Sequence, residues 1–434
     1  MAGQPRKRSR FKTGMFLLEN ITSGMYNDPL AILREYIQNS VDSIDLAHQG
    51  SMASSAEIKI DLNPFEKRIV IRDNGQGIPS AFAEEVLCSI GSSNKAGHQL
   101  RGFRGIGRLG GIAFSDRAVF RTKAEGEAIE SVQEWDCISL RKIIGERQKK
   151  RFSLSQVLGR ITSFSSENKK EKKGSYFEVT LEGVSSFRDY LFDITRVERF
   201  LSQAAPVPFD PDLFRFADAV EKHLENNLSH YRRYNLLLNG KPIFKPYKDY
   251  VRVTKGGLDR LVGIQFFDIK EPKGEIIGVG WFGKREELLG SITRGDDCSG
   301  IRVRSGNIMI GDNHLLDGCF REARFNSYIP GEIHIESSEL IPNSRRDDFV
   351  DNKFKSYFYN GVEKEIGLQI SKEIRLSSRK QSQLRIVTPD SKSKREASVN
   401  NAKDAHAGDV LQKLLIHCKE CPKLQSIIKS FPDD

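Results

Sequence analysis

Residues 28–47 read DPLAILREYIQNSVDSIDLA, a run with two unlike faces. Asp28 suits a helix N-cap and Pro29 a first helical position. Leu30, Leu33, Ile37, Val41 and Ile44 recur at spacings of three and four, which predicts a helix from Leu30 to about Ala47 with one apolar stripe. Glu35, Asn39 and Asp42 stand at i, i+4 and i+7, so two acids and an amide share the other face. An amide oxygen suits a hard cation such as magnesium, and a carboxylate can polarise a water for attack on phosphorus. An ordinary solvated helix face would carry the same letters.

The next signal is Asp73-Asn-Gly75-Gln-Gly77, directly after the strand-like RIVIR of residues 68–72. A carboxylate at a strand end can accept a hydrogen bond from the exocyclic amine of adenine. Gly75 and Gly77 would let the backbone approach a flat ring. A plain turn between strand and helix, with Asn-Gly as the turn pair, fits the same residues. Residues 91–111, GSSNKAGHQLRGFRGIGRLGG, are too rich in glycine for one stable helix. The first half is expected to be a mobile loop, and a helix is expected to begin near Arg108. Gly102, Gly105 and Gly107 would allow several backbone N–H groups to face one anion, with Lys95 and Arg104 as nearby cations. Residues 105–110 match GxGxxG, but no clean strand precedes them and no GK[ST] ending follows, so neither a dinucleotide fingerprint nor a P-loop is read here. Further strands are expected at Glu57–Ile60, Ala118–Thr122, Arg160–Ser163 and Tyr176–Leu181.

The order of these pieces resembles the GHKL, or Bergerat-fold, ATPase superfamily of the 90-kilodalton heat-shock chaperones, MutL proteins, type II topoisomerase ATPase subunits and MORC proteins. Glu35 to Asp42 is similar to its N-box, Asp73 to Gly77 to its adenine motif, and Gly102 to Gly107 to the glycine motif of its ATP lid. Ser93-Asn94-Lys95 resembles the lid Thr-Ser-Lys of MutL, departing from it at Asn94. Gly174-Ser175, before the strand YFEVTL, resembles the family's Gly-Thr pair and keeps a hydroxyl. The resemblance covers about residues 15–190. It implies an α/β sandwich in which helices lie over a mixed sheet, with ATP and Mg2+ as cofactors. It assigns Glu35 as general base, Asn39 as magnesium ligand, Asp73 as reader of the adenine amine and Asp42 as support for the base. Ser175 and the glycine loop would complete the nucleotide site.

The second half carries a weaker resemblance. Gly300 to Ile310 is similar to a strand pair in the middle domain of the same chaperones. Glu339-Leu-Ile-Pro-Asn343-Ser-Arg345-Arg346-Asp347 is similar to their Leu-Pro-Leu-Asn-Ile-Ser-Arg-Glu segment. By that resemblance Arg346, in preference to Arg345, would reach the γ-phosphate. An exposed basic turn is the other reading. Strands are expected at Val262–Phe267, Gly274–Trp281, Ile301–Ile310 and Gly331–Ile335, and helices at Leu213–Leu224, Lys284–Leu289, Asp348–Ile366 and Gly408–Cys418. The prolines of SQAAPVPFDP, residues 202–211, suggest a boundary. The expected organisation is an ATP-binding domain at 1–205, an α/β transducer domain at 206–370 and a basic C-terminal tail at 371–434, flexible from Ser377 to His406.

Composition bounds the rest. The 434 residues are 38% hydrophobic and 29% charged, as expected for a soluble chain with real cores. No apolar run approaches the ~20 residues that span a bilayer, so no membrane role and a cytoplasmic location are expected. The net charge of +10 is concentrated in an arm from Arg6 to Lys12 and in Ser371–Asn400. Such tails bind nucleic acid or anionic lipid, or act as solubilising linkers. Six cysteines are too dispersed for a disulfide scaffold. Cys418 and Cys421 form one CxxC, which is either incidental or part of a metal or redox site. The expected activity is Mg-dependent ATP hydrolysis driving lid closure and an ATP-dependent homodimer, acting on DNA or a protein client. The alternative is a nucleotide-gated scaffold without turnover.

Overall fold

In the computed structural model, residues 28–48, 56–90, 107–145 and 152–387 are described. The chain divides into a large unit, Met1–Lys372, and a second unit, Glu373–Asp434. The second unit is described only as far as Val387, and that part is helical.

The helix α1 spans Ala31–Ala47. It starts slightly later than its sequence suggests, and the Asp28 carboxylate accepts the Leu30 N–H at 2.9 Å. The stripe Leu30, Leu33, Ile37, Val41 and Ile44 is buried as its spacing requires. It joins one core with Ile58, Ile60, Ile69, Ile71 and Leu181 from the sheet beneath.

That sheet has the order β5-β4-β3-β6-β2-β1-β7-β8. Its strands are β1 (Glu57–Asn63), β2 (Arg68–Asp73), β3 (Arg117–Lys123), β4 (Ile129–Asp136), β5 (Thr162–Asn168), β6 (Tyr176–Glu182), β7 (Asn235–Leu238) and β8 (Lys241–Pro242). Neighbours are antiparallel except β1 and β7, which run parallel. Residues 235–242 thus complete the first sheet, beyond the proline-rich 202–211 segment. The register pairs Asp73 with Phe177 and Lys123 with Tyr176, so the ends of β2, β3 and β6 that carry the motif residues lie together.

A second mixed sheet has the order β13-β12-β14-β11-β10-β9. It is formed by β9 (Tyr250–Arg252), β10 (Leu258–Lys270), β11 (Ile276–Arg285), β12 (Gly300–Ser305), β13 (Ile308–Ile310) and β14 (Pro330–Ile335). Phe209, Phe214, Tyr247 and Trp281 pack together in its core. Glu332 on β14 lies at the centre of a buried charged group. Its carboxylate meets Lys245 Nζ at 2.7 Å, Arg304 Nε at 2.5 Å and His334 Nε2 at 3.0 Å. Burial alone would raise the Glu332 carboxyl, but Arg304 and Lys245 hold it well below the usual carboxylate range. Burial pushes the His334 imidazole down to about 4. Arg304 also donates to the Gln203 carbonyl at 2.7 Å, and Arg302 to the Gln203 side chain at 2.8 Å. The second sheet is thereby bonded to the end of the helix Ile194–Ala204.

Several elements differ from expectation. Arg160 belongs to a helix, Leu154–Ile161, and the strand begins only at Thr162; a Ser153–Gln156 capping box starts that helix, and Val157 and Ile161 bury four residues apart. Lys284 and Arg285 finish a strand rather than begin a helix. The buried Arg285 guanidinium donates to the carbonyls of Leu289, Gly290 and Tyr328, and Leu288 takes a φ of 50°, which fixes a turn there. The helix expected at Leu213–Leu224 is Ala217–Asn227. The segment expected to be flexible from Ser377 is helical to Val387, within Leu368–Val387. Gly107–Ala113 forms a 3-10 helix, while residues 91–106 lie outside the described residues. The N-terminal arm, the Gly408–Cys418 helix and the CxxC do so as well. No helix among the described residues is long and apolar enough to cross a membrane.

Candidate nucleotide site

α1 presents Glu35 and Asn39, both partly exposed, one turn apart. The Asn39 carboxamide has no hydrogen-bond partner among the described residues. Asp42, three residues further and so nearly one more turn along, is fully buried. The 3-10 helix Gly107–Ala113 crosses this face. Gly107 approaches so closely that a Cβ there would sit 2.6 Å from Glu35 Oε2. The Tyr36 hydroxyl accepts the Gly111 N–H at 3.1 Å, in a space that a Cβ on Gly111 would fill. Glycine at these two positions therefore lets the 3-10 helix lie against α1.

Asp73 lies at the end of β2, 2% exposed. Burial pushes its carboxyl up to about 6, against hydrogen bonds from the Ser40 and Ser43 hydroxyls and the backbone of Gly75 and Phe177. The Gly75 N–H donates at 3.0 Å. At neutral pH the group is mostly an ionised acceptor. Gly75 and Gly77 also allow close packing within the fold. A Cβ on Gly75 would come within 2.6 Å of the Ser43 backbone, so this glycine brings the loop onto α1. Gly77 has a φ of 67°, and a Cβ there would collide with the Lys123 carbonyl. The Ser175 hydroxyl donates to the Gly75 carbonyl at 2.6 Å, and Thr122 Oγ1 accepts from the Ile78 N–H at 2.8 Å.

A third segment arrives from the second sheet. Residues 341–350 fold back on themselves: Pro342 bridges Phe349, and the Val350 N–H donates to the Ile341 carbonyl at 2.8 Å. The Asn343 side chain donates to Asp347 at 2.6 Å, closing the tip. Arg346 sits in this tip with a φ of 57°, in the left-handed region that few non-glycine residues adopt. Its carbonyl accepts the Gly311 N–H at 2.7 Å. Its Nε lies 3.5 Å from Glu35 Oε1, and both side chains are only 12–13% exposed. Arg345 turns the other way, to Asp347 at 3.0 Å, with its side chain 58% exposed. Arg34, buried beside Glu35 on α1, donates to the Arg345 carbonyl at 3.1 Å.

Glu35, Gly107 and Arg346 thus meet on the first half of α1, Asn39 stands one turn on at its middle, and Asp73 and Gly75 lie against its second half, with Ser175 bonded to Gly75 and Gly77 packed on Lys123. Lys95, Gly102, Arg104 and Gly105 lie outside the described residues. Sequence reasoning passed over Arg34, Ser40, Ser43, Thr122 and Lys123. Ser40 and Ser43 carried a usable signal, since they sit on either side of Asp42 on a helix already assigned to the site. Arg34, Thr122 and Lys123 carried none, because all or most of their contacts are with backbone groups remote in sequence.

A family model described as histidine kinase-, DNA gyrase B-, and HSP90-like ATPase matches residues 28–167. The chaperone protein HtpG of Coxiella burnetii is 29% identical over 143 residues, covering 28% of this chain and 22% of that protein. HtpG of Halalkalibacterium halodurans is 27% identical over 149 residues, covering 30% and 24%. HtpG of Francisella tularensis subsp. novicida is 25% identical over 142 residues, covering 27% and 22%. The match spans under a quarter of the length of each of these relatives. The matched stretch holds α1, the Asp73 loop and strands β1 to β4, and with them the chain carries an ATPase domain of the GHKL superfamily, of the Bergerat fold and homologous to part of HtpG.

Proposed function

We propose that this protein hydrolyses ATP with Mg2+ and uses the cycle to change how its second sheet engages the first. The observation that carries the reading is the Glu35–Arg346 approach at 3.5 Å, where a carboxylate on α1 meets a guanidinium delivered by a distant segment. Either group alone would suit a simple binding site. Together they suit phosphoryl transfer to water, which needs a base and a fixed cation.

In this reading Asp73, ionised at neutral pH, accepts the adenine amine, and the Ser175–Gly75 bond holds its loop in place. Asn39 offers its carboxamide oxygen to Mg2+, with the partly exposed Glu35 one turn away. The metal supplies neutralisation of phosphate charge when bound. Glu35 orients a water and takes its proton, while Asp42 supports the polar face of α1. Lys95, Gly102, Arg104, Gly105 and Gly107 contact the phosphates. Arg346 exchanges the Glu35 carboxylate for phosphate oxygens, so that site occupancy is transmitted through residues 341–350 to the second sheet.

We further propose an ATP-dependent homodimer. Its client is a protein, in line with the chaperone relatives. The basic stretch at Ser371–Asn400 favours DNA as the second candidate. The test is phosphate release by the wild type and by Glu35→Ala, with ATP binding measured on both. Turnover by the wild type alone, with binding retained in the variant, supports the reading. Bound ATP without turnover in either protein would leave only a nucleotide-gated scaffold.

A further inference from the structure

Lys123 ends β3 and is 4% exposed. Among the described residues no carboxylate pairs with it. Its ammonium donates instead to three backbone carbonyls, of Lys172 at 3.1 Å, Lys173 at 3.3 Å and Glu127 at 3.4 Å. A buried cation without a counter-ion is costly, and an apolar side chain could fill the space at less expense. Three carbonyl dipoles satisfy the three ammonium donors, so the residue acts as a tie between segments.

The tied segments all border the Asp73 loop. Lys172 and Lys173 lead through Gly174, with a φ of 82°, to Ser175, whose hydroxyl holds the Gly75 carbonyl. The Glu127 carboxylate accepts the Ser80 N–H at 2.9 Å, at the start of the helix Ser80–Cys88. The Lys123 carbonyl itself packs against Gly77. One ammonium therefore links the 124–127 turn and the 172–175 segment around residues 73–80.

We infer that Lys123 is a positioning residue for base selection: it holds the 172–175 segment against the Asp73 loop and so sets Ser175 and Asp73 in register for adenine. The inference rests on the nucleotide reading above. Lys123 lies on the base side of the site, away from Glu35 and Arg346. Its loss should therefore loosen the fit to the base and leave the chemistry at the far end intact.

The experiment compares ATP and GTP binding by calorimetry, and phosphate release at saturating ATP, in the wild type, Lys123→Met, Lys123→Arg and Ser175→Ala. Lys123→Met removes the charge at similar length. It should weaken ATP binding about tenfold, as expected for loss of charge-assisted hydrogen bonds, with little change for GTP. The saturated rate should stay within about twofold. Lys123→Arg, which can donate to the same carbonyls, should keep most of the preference for ATP. Ser175→Ala should narrow the preference too, and adding Lys123→Met to it should cost little more. A folded Lys123→Met that still prefers ATP as the wild type does would overturn the inference. So would a fall in saturated rate at unchanged KM. Should Lys123→Met fail to fold, Ser175→Ala decides: an undiminished preference for ATP refutes the tie. Wild type that binds neither nucleotide would instead overturn the nucleotide reading itself, before any variant is made.

Discussion

The Arg346 guanidinium lies 3.5 Å from the Glu35 carboxylate, although the two residues belong to segments built around different sheets. Neither is carried by a flexible arm. Glu35 is fixed by α1, and Arg346 by a closed turn in which its own backbone takes a φ of 57°. Strain of this kind costs of order 1–3 kcal/mol and persists only where the surroundings enforce it. Here they do so through the Gly311–Arg346 backbone bond and the Asn343–Asp347 pair.

Arg34 should matter to turnover although no phosphate need touch it. It holds the residue next to Arg346 by a charge-assisted bond to the Arg345 carbonyl. Replacing Arg34 with Met is expected to lower the saturated rate of phosphate release by about tenfold, in line with loss of one such bond. ATP affinity should change by less than about threefold. Steady-state kinetics beside calorimetry check this, and equal losses in both would refute it.

Asp73 gives a pH dependence of known sign. Its folded pKa of about 6 lies above the ordinary aspartate value of about 3.9, so the folded state holds the proton more tightly. This group alone therefore stabilises the fold as pH falls from about 6 towards 4, and it costs stability above that window, by at most about 3 kcal/mol. Binding runs the opposite way, because the carboxylate accepts an amine hydrogen far better than the protonated carboxyl does. ADP affinity should fall as pH drops through 6, by about tenfold at pH 5. Asp73→Asn should raise the thermal midpoint at pH 7 and abolish adenine binding. A destabilised Asn variant would contradict the assignment.

Gly77→Ala should unfold the base loop. The new methyl group would meet the Lys123 carbonyl, and the φ of 67° disfavours any side chain. A loss of about 2–4 kcal/mol is expected by denaturant titration. Ala at Gly126, whose Cβ meets nothing within 4 Å but whose φ is 80°, should cost only the smaller backbone penalty of about 1 kcal/mol.

In the second sheet, Glu332→Ala should be severe. It would leave Lys245 and Arg304 buried without the carboxylate that balances them. Breaking a buried pair costs about 3–5 kcal/mol. Because Arg304 also holds the Gln203 carbonyl, hydrogen exchange should rise at the end of helix Ile194–Ala204 as well as in β14. Protection confined to its wild-type pattern there would show the two regions to be independent.

Local pattern made α1 legible. Its apolar stripe reads directly from the spacing of Leu33, Ile37, Val41 and Ile44, and the Asp73 loop reads from two glycines after a strand. The neighbours those glycines admit, Ser43 of α1 and the Lys123 carbonyl, were not legible, since the tertiary fold brings them there. β4 passed unnoticed because Ile129–Asp136 mixes Glu, Ser and Gln with few apolar residues, yet Glu130, Ser131 and Gln133 are buried. The Arg285 turn read as helix because its cause is a set of carbonyls and an Asp259 partner remote in sequence. Lys123 and Arg34 belong to the same class: long cations whose partners are backbone atoms.

A structure of the full chain with Mg2+ and a non-hydrolysable ATP analogue bears most directly on the account. It should place the adenine amine on Asp73 and magnesium on Asn39, with the Arg346 guanidinium moved from Glu35 to the terminal phosphate. An analogue seated away from Asp73, or Arg346 still paired with Glu35 beside a fully bound triphosphate, would contradict it.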